Sequence, residues 1–530
     1  MIEIFLSTIF LFVIFLGFGF LINQIFGEIW DGISGILISG IVATTVLFVC
    51  VAFVSPITPK IEIIAALIGL FCFFYFKGYA MTVNFLKTQD KYWIIPLFFT
   101  LFVASFSPYI MDHFGYYIPT INWLSQFKIT KGIVNMDLAL AQTSFWHILQ
   151  TGFSHFIDSD LRINVIVALT YLIYLFEKKQ WFLLIFYPLF YFFLQSPSPD
   201  LPILAFSILI LNEILHFNKN NGNLLAVSIF LFCIKPTLIW LPIFALFNFF
   251  SVRNFDFKNL IPSIVIALLF IIKNYFTFGF PIIPVQYGDL NLAWKADPEI
   301  LKMSSEIAIQ KTYDMQYSMQ QISKFSTLDY IVNWFTLKGL KSKINIILIL
   351  LLLIFTGYSW IQKKPIIRLL WVSVIVKSIL VLIFSAQYRF FLDVFLVIGF
   401  IFLQNISRKN SVLGFYILNF IICGILTFPR IIQKIIPSFL SVQMMNSFSF
   451  RQIIKPINYE NNQYAKFRIG NLTFNVVKAY LFSFDIPAPA ITPDHIQNML
   501  KVKRFPQWID GNDHSKGIYL KKISKKKSSR

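Results

Sequence analysis

Apolar runs of about 15–22 residues with almost no charge recur from Ile2 to about Pro429, separated by polar breaks. Each run is close to the ~20 residues that a helix needs to cross about 30 Å of hydrocarbon. In lipid every backbone N–H and C=O must find its partner inside the segment. The runs lack the two-residue alternation of barrel strands, so they predict helices. Candidate spans fall at 3–23, 33–54, 61–77, 93–107, 162–176, 181–195, 201–215, 223–234, 238–250, 260–272, 344–360, 366–384, 390–405 and 411–428. The expected fold is an all-α polytopic membrane bundle of about 12–14 transmembrane helices. Lys235-Pro236-Thr237 interrupts the stretch 223–250. Pro removes a backbone donor and Lys is costly in mid-bilayer, so two short helices with a tip near an interface are expected there.

The polar breaks set an expected orientation. Lys77, Lys87, Lys91, Lys178, Lys179, Lys219, Arg253, Lys258, Lys363, Lys364, Arg368, Arg408 and Lys409 all fall on one side under this span list. The positive-inside rule makes that side cytoplasmic. The first short break, with Glu28 and Asp31 and no Lys or Arg, runs against the pattern, but acidic residues carry little weight in the rule. Both termini and the long breaks 108–161 and 273–343 then lie outside, with the turns 196–200 and 385–389 and the Lys235 tip. Long loops without strong apolar runs are usually functional, which makes the outer face the expected working face.

Residues 1–430 are thus expected to form the transmembrane domain and 431–530 a small C-terminal α+β extracytoplasmic domain. Lys466-Phe467-Arg468-Ile469-Gly470 and Leu472-Thr473-Phe474-Asn475-Val476-Val477 read as strands, and the Pro-rich 486–493 as an extended loop. The last ten residues, rich in Lys and Ser, are expected to be disordered.

Composition strengthens the membrane assignment. Hydrophobic residues make up 57% of the chain and charged ones 13%, against about 25% charged in an average soluble domain. The net charge of +20 would suit nucleic acid, but the cations are spread over short breaks and the tail 521–530. There they set orientation and attract anionic headgroups, so no nucleic-acid partner is expected. Cys50, Cys72, Cys233 and Cys423 all lie inside apolar runs, which argues against a disulfide framework or a zinc site. The first run begins with Glu3 and has no small-residue cleavage site, so it reads as a retained helix. A usage rich in Phe, Ile, Lys and Asn associates the chain with A·T-rich bacterial genomes.

Four features carry candidate chemistry. Asp112-His113-Phe114-Gly115-Tyr116-Tyr117 directly follows a span. A carboxylate at the membrane–water boundary, with aromatics to hold a sugar or lipid face, is placed to take a proton from a hydroxyl; the plainer reading is a helix-capping Asp. Ser196-Pro197-Ser198-Pro199-Asp200-Leu201-Pro202 puts a second acid, Asp200, at the start of a later span, where capping is again the plainer reading. Lys235, Lys273 and Arg389 stand at the outer boundary, suited to phosphates; simple snorkelling to headgroups is the plainer reading, and it fits Lys273 better than Arg389. Arg389 lies between two apolar runs and needs a partner. His113, His147 and His155 share a loop with Asp112, Asp158 and Asp160, which leaves a divalent metal open, although no spacing matches a helix-face ligand pair and no metal ligands are assigned. No phosphate-cradling glycine loop is present; the glycines of 17–40 suit helix packing.

The order of these elements resembles a known family. An acidic first outer loop, a second acid in a later turn, the Lys-Pro-Thr break, and Lys273-Asn274-Tyr275-Phe276-Thr277-Phe278-Gly279-Phe280-Pro281-Ile282-Ile283-Pro284 resemble the GT-C superfamily of polyprenyl-phosphate-sugar glycosyltransferases. Lys131-Gly132-Ile133-Val134-Asn135, Asn291-Leu292-Ala293-Trp294 and Phe484-Asp485-Ile486-Pro487-Ala488-Pro489 are similar to an uncharacterised group of bacterial multi-pass proteins with a GT-C-like layout. The chain departs from the superfamily in having four spans before the acidic loop, Lys273 where Arg is common, and no second acid directly after Asp112.

The resemblance implies an inverting membrane glycosyltransferase of the bacterial cytoplasmic (inner) membrane and cell envelope. It would move sugar from a polyprenyl-phosphate donor to a glycan, lipid or protein acceptor on the outer face. Asp112 would be the general base, and Asp200 would orient acceptor or donor. His113 would lie against substrate, and Arg389, with Lys235 or Lys273, would hold the phosphate. A transporter or flippase, or a polymerase for lipid-linked glycans, is the alternative; Glu213 and the Lys235 break are its only hints, and no internal repeat is visible.

Overall fold

A computed structural model of the chain describes residues 1–217, 221–251, 257–283, 285–435, 444–459, 463–478, 482–511 and 513–522. Lys219, Arg253, Pro284 and the Lys- and Ser-rich residues 523–530 lie outside the described residues. Among the described residues six helices are long and apolar enough to cross a membrane: Ile2–Phe26, Ile33–Val54, Phe257–Thr277, Leu340–Gln362, Pro365–Phe384 and Arg408–Thr427. A seventh crossing arises if Pro59–Tyr75 and Gly78–Thr88, bent by 69° at their junction, count as one span. The large apolar side chains of Leu67, Phe71, Leu353 and Phe420 face outward, as lipid contact requires. The chain is an α-rich membrane protein with a small C-terminal strand region.

The other expected spans are shorter. Lys91–Ala104, Trp181–Phe193, Gly222–Ile234 and Pro236–Phe250 are apolar helices of less than spanning length. Asn164–Lys178 and Asp200–His216 run through the middle of the bundle. Every residue from Leu201 to Ile214 is buried, so this helix is apolar on all sides because protein surrounds it. The run at 181–193 is built of tight 3₁₀ turns, Trp181–Ile185 and Tyr187–Phe193. Each residue there rises ~2.0 Å instead of ~1.5 Å, so the run reaches further than an α-helix of its length. The first three helices approach closely through glycine, as expected: a Cβ at Gly17 would collide with the Gly69 carbonyl, and one at Gly40 with that of Phe15.

Polar contacts fix which turns share an end of the bundle. At one end Ile33 N–H donates to Glu177 at 2.6 Å, the Asn223 side chain donates to the Phe26 and Gly27 carbonyls at 2.9 and 3.0 Å, and Arg408 reaches Asp90 at 3.1 Å. At the opposite end Ile57 N–H donates to the Leu124 carbonyl at 2.9 Å, Ser144 Oγ to the Ile234 carbonyl at 2.8 Å, Trp334 Nε1 to the Ala386 carbonyl at 3.0 Å, and Ser107 Oγ to the Met444 carbonyl at 2.9 Å. Both long loops, the Lys235 break, the Ala386 turn and the tail therefore meet at that second end.

The tail contains the expected strands. Tyr464–Ile469 pairs antiparallel with Leu472–Val477, Phe467 opposite Phe474, and the short Ala490–Ile491 adds in parallel. A separate antiparallel pair joins Arg504–Trp508 to Ile518–Lys522. These strands share one apolar core with the long loops, in which Trp123, Ile133 and Phe280 pack with Phe474, Trp508 and Ile518. Buried Asn135 ties the parts together: its Nδ2 donates to the carbonyls of Trp294 at 3.0 Å, Lys295 at 3.2 Å and Ile518 at 3.1 Å, and its Oδ1 accepts from Asp297 N–H at 3.0 Å. The motifs around Gly132 and Trp294 thus have an architectural role.

Candidate functional site

The first long loop opens on a π-helical turn, His113–Tyr117, that runs into the helix Ile118–Gln126. Such turns re-aim side chains and concentrate at functional sites. Asp112, at the head of the turn, makes no capping bond to the backbone. Its Oδ2 instead accepts from Arg389 Nη1 at 3.0 Å. Arg389 stands in the tight turn Tyr388–Phe391 between Pro365–Phe384 and Leu392–Leu403. Its Nε is buried with no hydrogen-bond partner among the described residues, leaving an unused donor at the site.

A second carboxylate–cation pair forms beside the first. Asp200 begins the helix Asp200–His216, where the macrodipole favours a negative charge. Lys235 closes the helix Gly222–Ile234 in an extended conformation, because the Pro236 ring disfavours helical geometry in the residue before it. Its ammonium pairs with Asp200 Oδ1. Lys235 and Arg389 also share one aromatic ring, their charged groups lying 5.4 and 5.1 Å from the centroid of Phe390. The Phe390 carbonyl accepts from Lys377, whose ammonium donates to Asp393 Oδ1 at 2.6 Å, while Trp240 Nε1 holds Asp393 Oδ2 at 2.9 Å. A buried ion pair thereby fixes the turn that carries Arg389.

The local field is positive. Burial works against the Arg389 charge, but Asp112, Tyr116, Asp200 and Tyr117 outweigh it and push the guanidinium pKa up. Lys311, from the helix Pro298–Thr312, feels the same group: burial and then the Arg389 charge push its ammonium pKa down, while Asp112 pulls it up. Arg389, Lys235 and Lys311 are three cations against the two carboxylates of Asp112 and Asp200. The excess positive charge suits an anion, and a guanidinium fork beside ammonium groups suits a phosphate.

Of the residues singled out in the sequence, Asp112, Asp200, Lys235 and Arg389 come together. His113 does not face them: it is buried, its ring is edge-on to Phe114 at 4.9 Å, and burial pushes its pKa well below the usual histidine value. Lys273 stays apart as well, donating to the Gln142 carbonyl at 2.7 Å with the Phe270 and Phe278 rings at 5.1 and 5.9 Å. It braces the first long loop against the end of Phe257–Thr277. The His and Asp residues considered for a metal scatter: His155 Nε2 lies 3.0 Å from the Ile57 carbonyl, Asp158 accepts from Gln150 at 3.0 Å and Arg162 N–H at 2.9 Å, and Asp160 accepts from Asn458 at 2.8 Å. Among the described residues no three His, Cys, Asp or Glu side chains gather as metal ligands. Glu213 accepts from the Tyr174 hydroxyl at 2.9 Å and faces Lys178 at 3.6 Å, at the end of the bundle away from Asp112.

Four contributing residues escaped the sequence reading. Lys377 sits inside one apolar run and Asp393 near the start of the next, and a charge within such a run is the signal that could have found them. Arg162 is fully buried, its guanidinium donating to the carbonyls of Ala104 at 2.9 Å and Ile457 at 3.2 Å and to Asn458 Oδ1 at 2.9 Å, which locks loop to tail. Lys311 carries no local signal beyond its charge. The tail also covers the π-helical turn: Phe484 N–H donates to the Phe114 carbonyl at 3.0 Å and the two rings lie 4.8 Å apart.

Among known families, one described as a domain of unknown function (DUF8201) matches residues 1–396, a stretch that holds Asp112, Asp200, Lys235 and Arg389 and stops before the strands of the tail. No curated protein and no solved structure matches the chain.

Proposed function

We propose a function from the premise that the chain belongs to the DUF8201 family: it is a polytopic GT-C-type inverting glycosyltransferase, moving a sugar from a polyprenyl-phosphate donor to a glycan, lipid or protein acceptor on the outer face of the bacterial cytoplasmic membrane. The observation that carries the reading is the meeting of two carboxylate–cation pairs, Asp112 with Arg389 and Asp200 with Lys235, around the single ring of Phe390.

In this reading the donor phosphate draws Arg389 away from Asp112 and frees a carboxylate to act as base. Asp112 takes the proton of an acceptor hydroxyl as its oxygen bonds to the anomeric carbon. The bond from that carbon to the phosphate oxygen breaks, and its electron pair leaves with the polyprenyl phosphate. Arg389, Lys235 and Lys311 stabilise the charge that develops there. Asp200 holds Lys235 in place, and the half-buried Tyr116 offers a sugar an aromatic ring beside Asp112.

A second reading, a transporter or flippase for lipid-linked glycans, draws on the buried Lys377–Asp393 pair, since ionisable groups within membrane helices also mark transport pathways. Detergent-solubilised membranes from cells with and without the chain separate the two. With the bilayer dissolved no flipping is needed, so conversion of a polyprenyl-phosphate sugar that still requires the chain supports a transferase. Equal conversion in both extracts abandons the enzyme and leaves transport.

A further inference from the structure

A second site of different make-up lies between the loops and the membrane helices. A cleft of about 270 Å³ is lined by Phe53, Lys128, Thr130, Lys131, Phe276 and His514, with Ile129 and Ser515 completing the wall. It shares no residue with the Asp112–Arg389 group. Its floor is apolar and belongs to the membrane part: Phe53 and Phe276 lie at the ends of Ile33–Val54 and Phe257–Thr277 and meet edge to face at 5.3 Å. Its upper wall is polar and comes from the tail, where His514 stacks on Trp508 at 4.2 Å and 12°.

The cleft is rich in donors and poor in acceptors. The Lys131 ammonium rests 5.5 Å from the Phe276 ring and 4.8 Å from the Trp294 ring. Among the described residues no carboxylate lies within ion-pair distance of Lys128 or Lys131. The nearby acids are engaged: Asp513 accepts from Ser515 N–H at 2.9 Å and Ser515 Oγ at 2.5 Å, Asp510 pairs with Lys516 at 2.7 Å, and Asp289 with Lys295 at 2.6 Å. The backbone is used as well, since the Lys131 carbonyl accepts from Ile518 N–H at 2.8 Å and Gly132 N–H donates to the Phe276 carbonyl at 2.7 Å. Two ammonium groups and an imidazole are left to face the opening.

We propose that this cleft binds a phosphate group carried by a membrane lipid, the charged head between Lys128, Lys131 and His514 and the first apolar carbons against Phe53 and Phe276. Cations over an aromatic floor, at the height where spanning helices end, match an anion with an apolar anchor. A volume of about 270 Å³ takes a headgroup and not a folded partner. The inference is independent of the glycosyl-transfer reading, and binding tests it without any activity.

The test is native mass spectrometry of the full purified chain titrated with phosphatidylglycerol, with phosphatidylcholine, and with inorganic phosphate as competitor. Each lysine near an anionic headgroup is worth about fivefold in binding, so Lys128→Gln/Lys131→Gln is expected to weaken phosphatidylglycerol binding by about 25-fold. Lys128→Arg/Lys131→Arg restores it. Lys466→Gln/Lys501→Gln removes the same charge from the tail, at residues that do not line the cleft, and leaves binding unchanged. Resistance to inorganic phosphate in tenfold excess identifies the lipid as the source; lysine-dependent displacement by inorganic phosphate keeps the phosphate site and reassigns its ligand to a soluble anion. Equal binding by wild type and the Gln pair, or an equal loss in the tail control, overturns the site.

Discussion

Asp112→Asn separates a catalytic carboxylate from a structural one, because the two roles predict effects of very different size. At 3.0 Å from Arg389, a unit-charge pair attracts by about 1.4 kcal/mol in bulk water and about 5.5 kcal/mol at an effective dielectric of 20. Asp112 and Arg389 are 34% and 40% exposed, so water screens them and the net contribution drops to the ~0.2–1 kcal/mol of exposed pairs. Losing the charge should therefore cost under about 1 kcal/mol and lower the melting temperature by no more than about 2 °C in a chain of this size. Loss of a general base, by contrast, slows its reaction by about 10²–10⁴, or about 2.7–5.4 kcal/mol of barrier. The assay is transfer from a polyprenyl-phosphate sugar in solubilised membranes, at matched protein level, alongside the melting curve of the purified variant. A hundredfold loss with melting unchanged is the expected result. Wild-type transfer by a well-folded variant refutes the role of Asp112, and a drop of 5 °C or more shows that the pair holds the fold.

Other substitutions probe the supports. Asn135→Ala removes about three net hydrogen bonds from a buried junction and should cost about 2–4 kcal/mol, read as earlier thermal unfolding and faster proteolysis of the tail; a change under 0.5 kcal/mol would discount the junction. Lys377→Met strands buried Asp393 and should destabilise by about 3–5 kcal/mol, with much of the loss recovered in Lys377→Met/Asp393→Leu; a double variant no better than the single would count against this. Burial pushes the Asp158 carboxyl from its ordinary 3.8 up to about 7. Between those values the folded chain keeps a proton that the unfolded chain has lost, so this group's stability contribution is full below about pH 4, declines as pH rises, and levels off above about 7. Asp158→Asn should flatten that slope in melting curves taken from pH 5 to 8, and an unchanged slope would refute the assignment.

Which parts of this arrangement could be read in advance follows from where each residue gets its partner. Asp112, Asp200, Lys235 and Arg389 stand out in sequence because each is a lone charge at the edge of an apolar run. Their pairing does not, since Arg389 stands 277 positions beyond Asp112 and meets it only when the chain folds back. Lys273 has the same sequence setting as Arg389, and one neighbour separates their fates: the Gln142 carbonyl satisfies the lysine, whereas Arg389 keeps an unused donor. Helix positions were legible because apolar runs are long, but hydropathy could not distinguish lipid contact from the protein that surrounds Asp200–His216. The tail strands Tyr464–Ile469 and Leu472–Val477 were legible from their alternation, while the core that the tail shares with Trp123 and Ile133 depends on contacts remote in sequence.

The bond from Phe484 to the Phe114 carbonyl has a consequence for the order of events during synthesis. The π-helical turn emerges from the ribosome long before its cover, because Phe114 precedes Phe484 by most of the bundle. Until then the Asp112 turn lacks both the Phe484 ring and the Asn458 contact that helps to hold Arg162. The bundle can therefore form the Asp200–Lys235 and Lys377–Asp393 pairs before the tail is made, whereas the cover over the Asp112 turn must be added afterwards to a bundle already built.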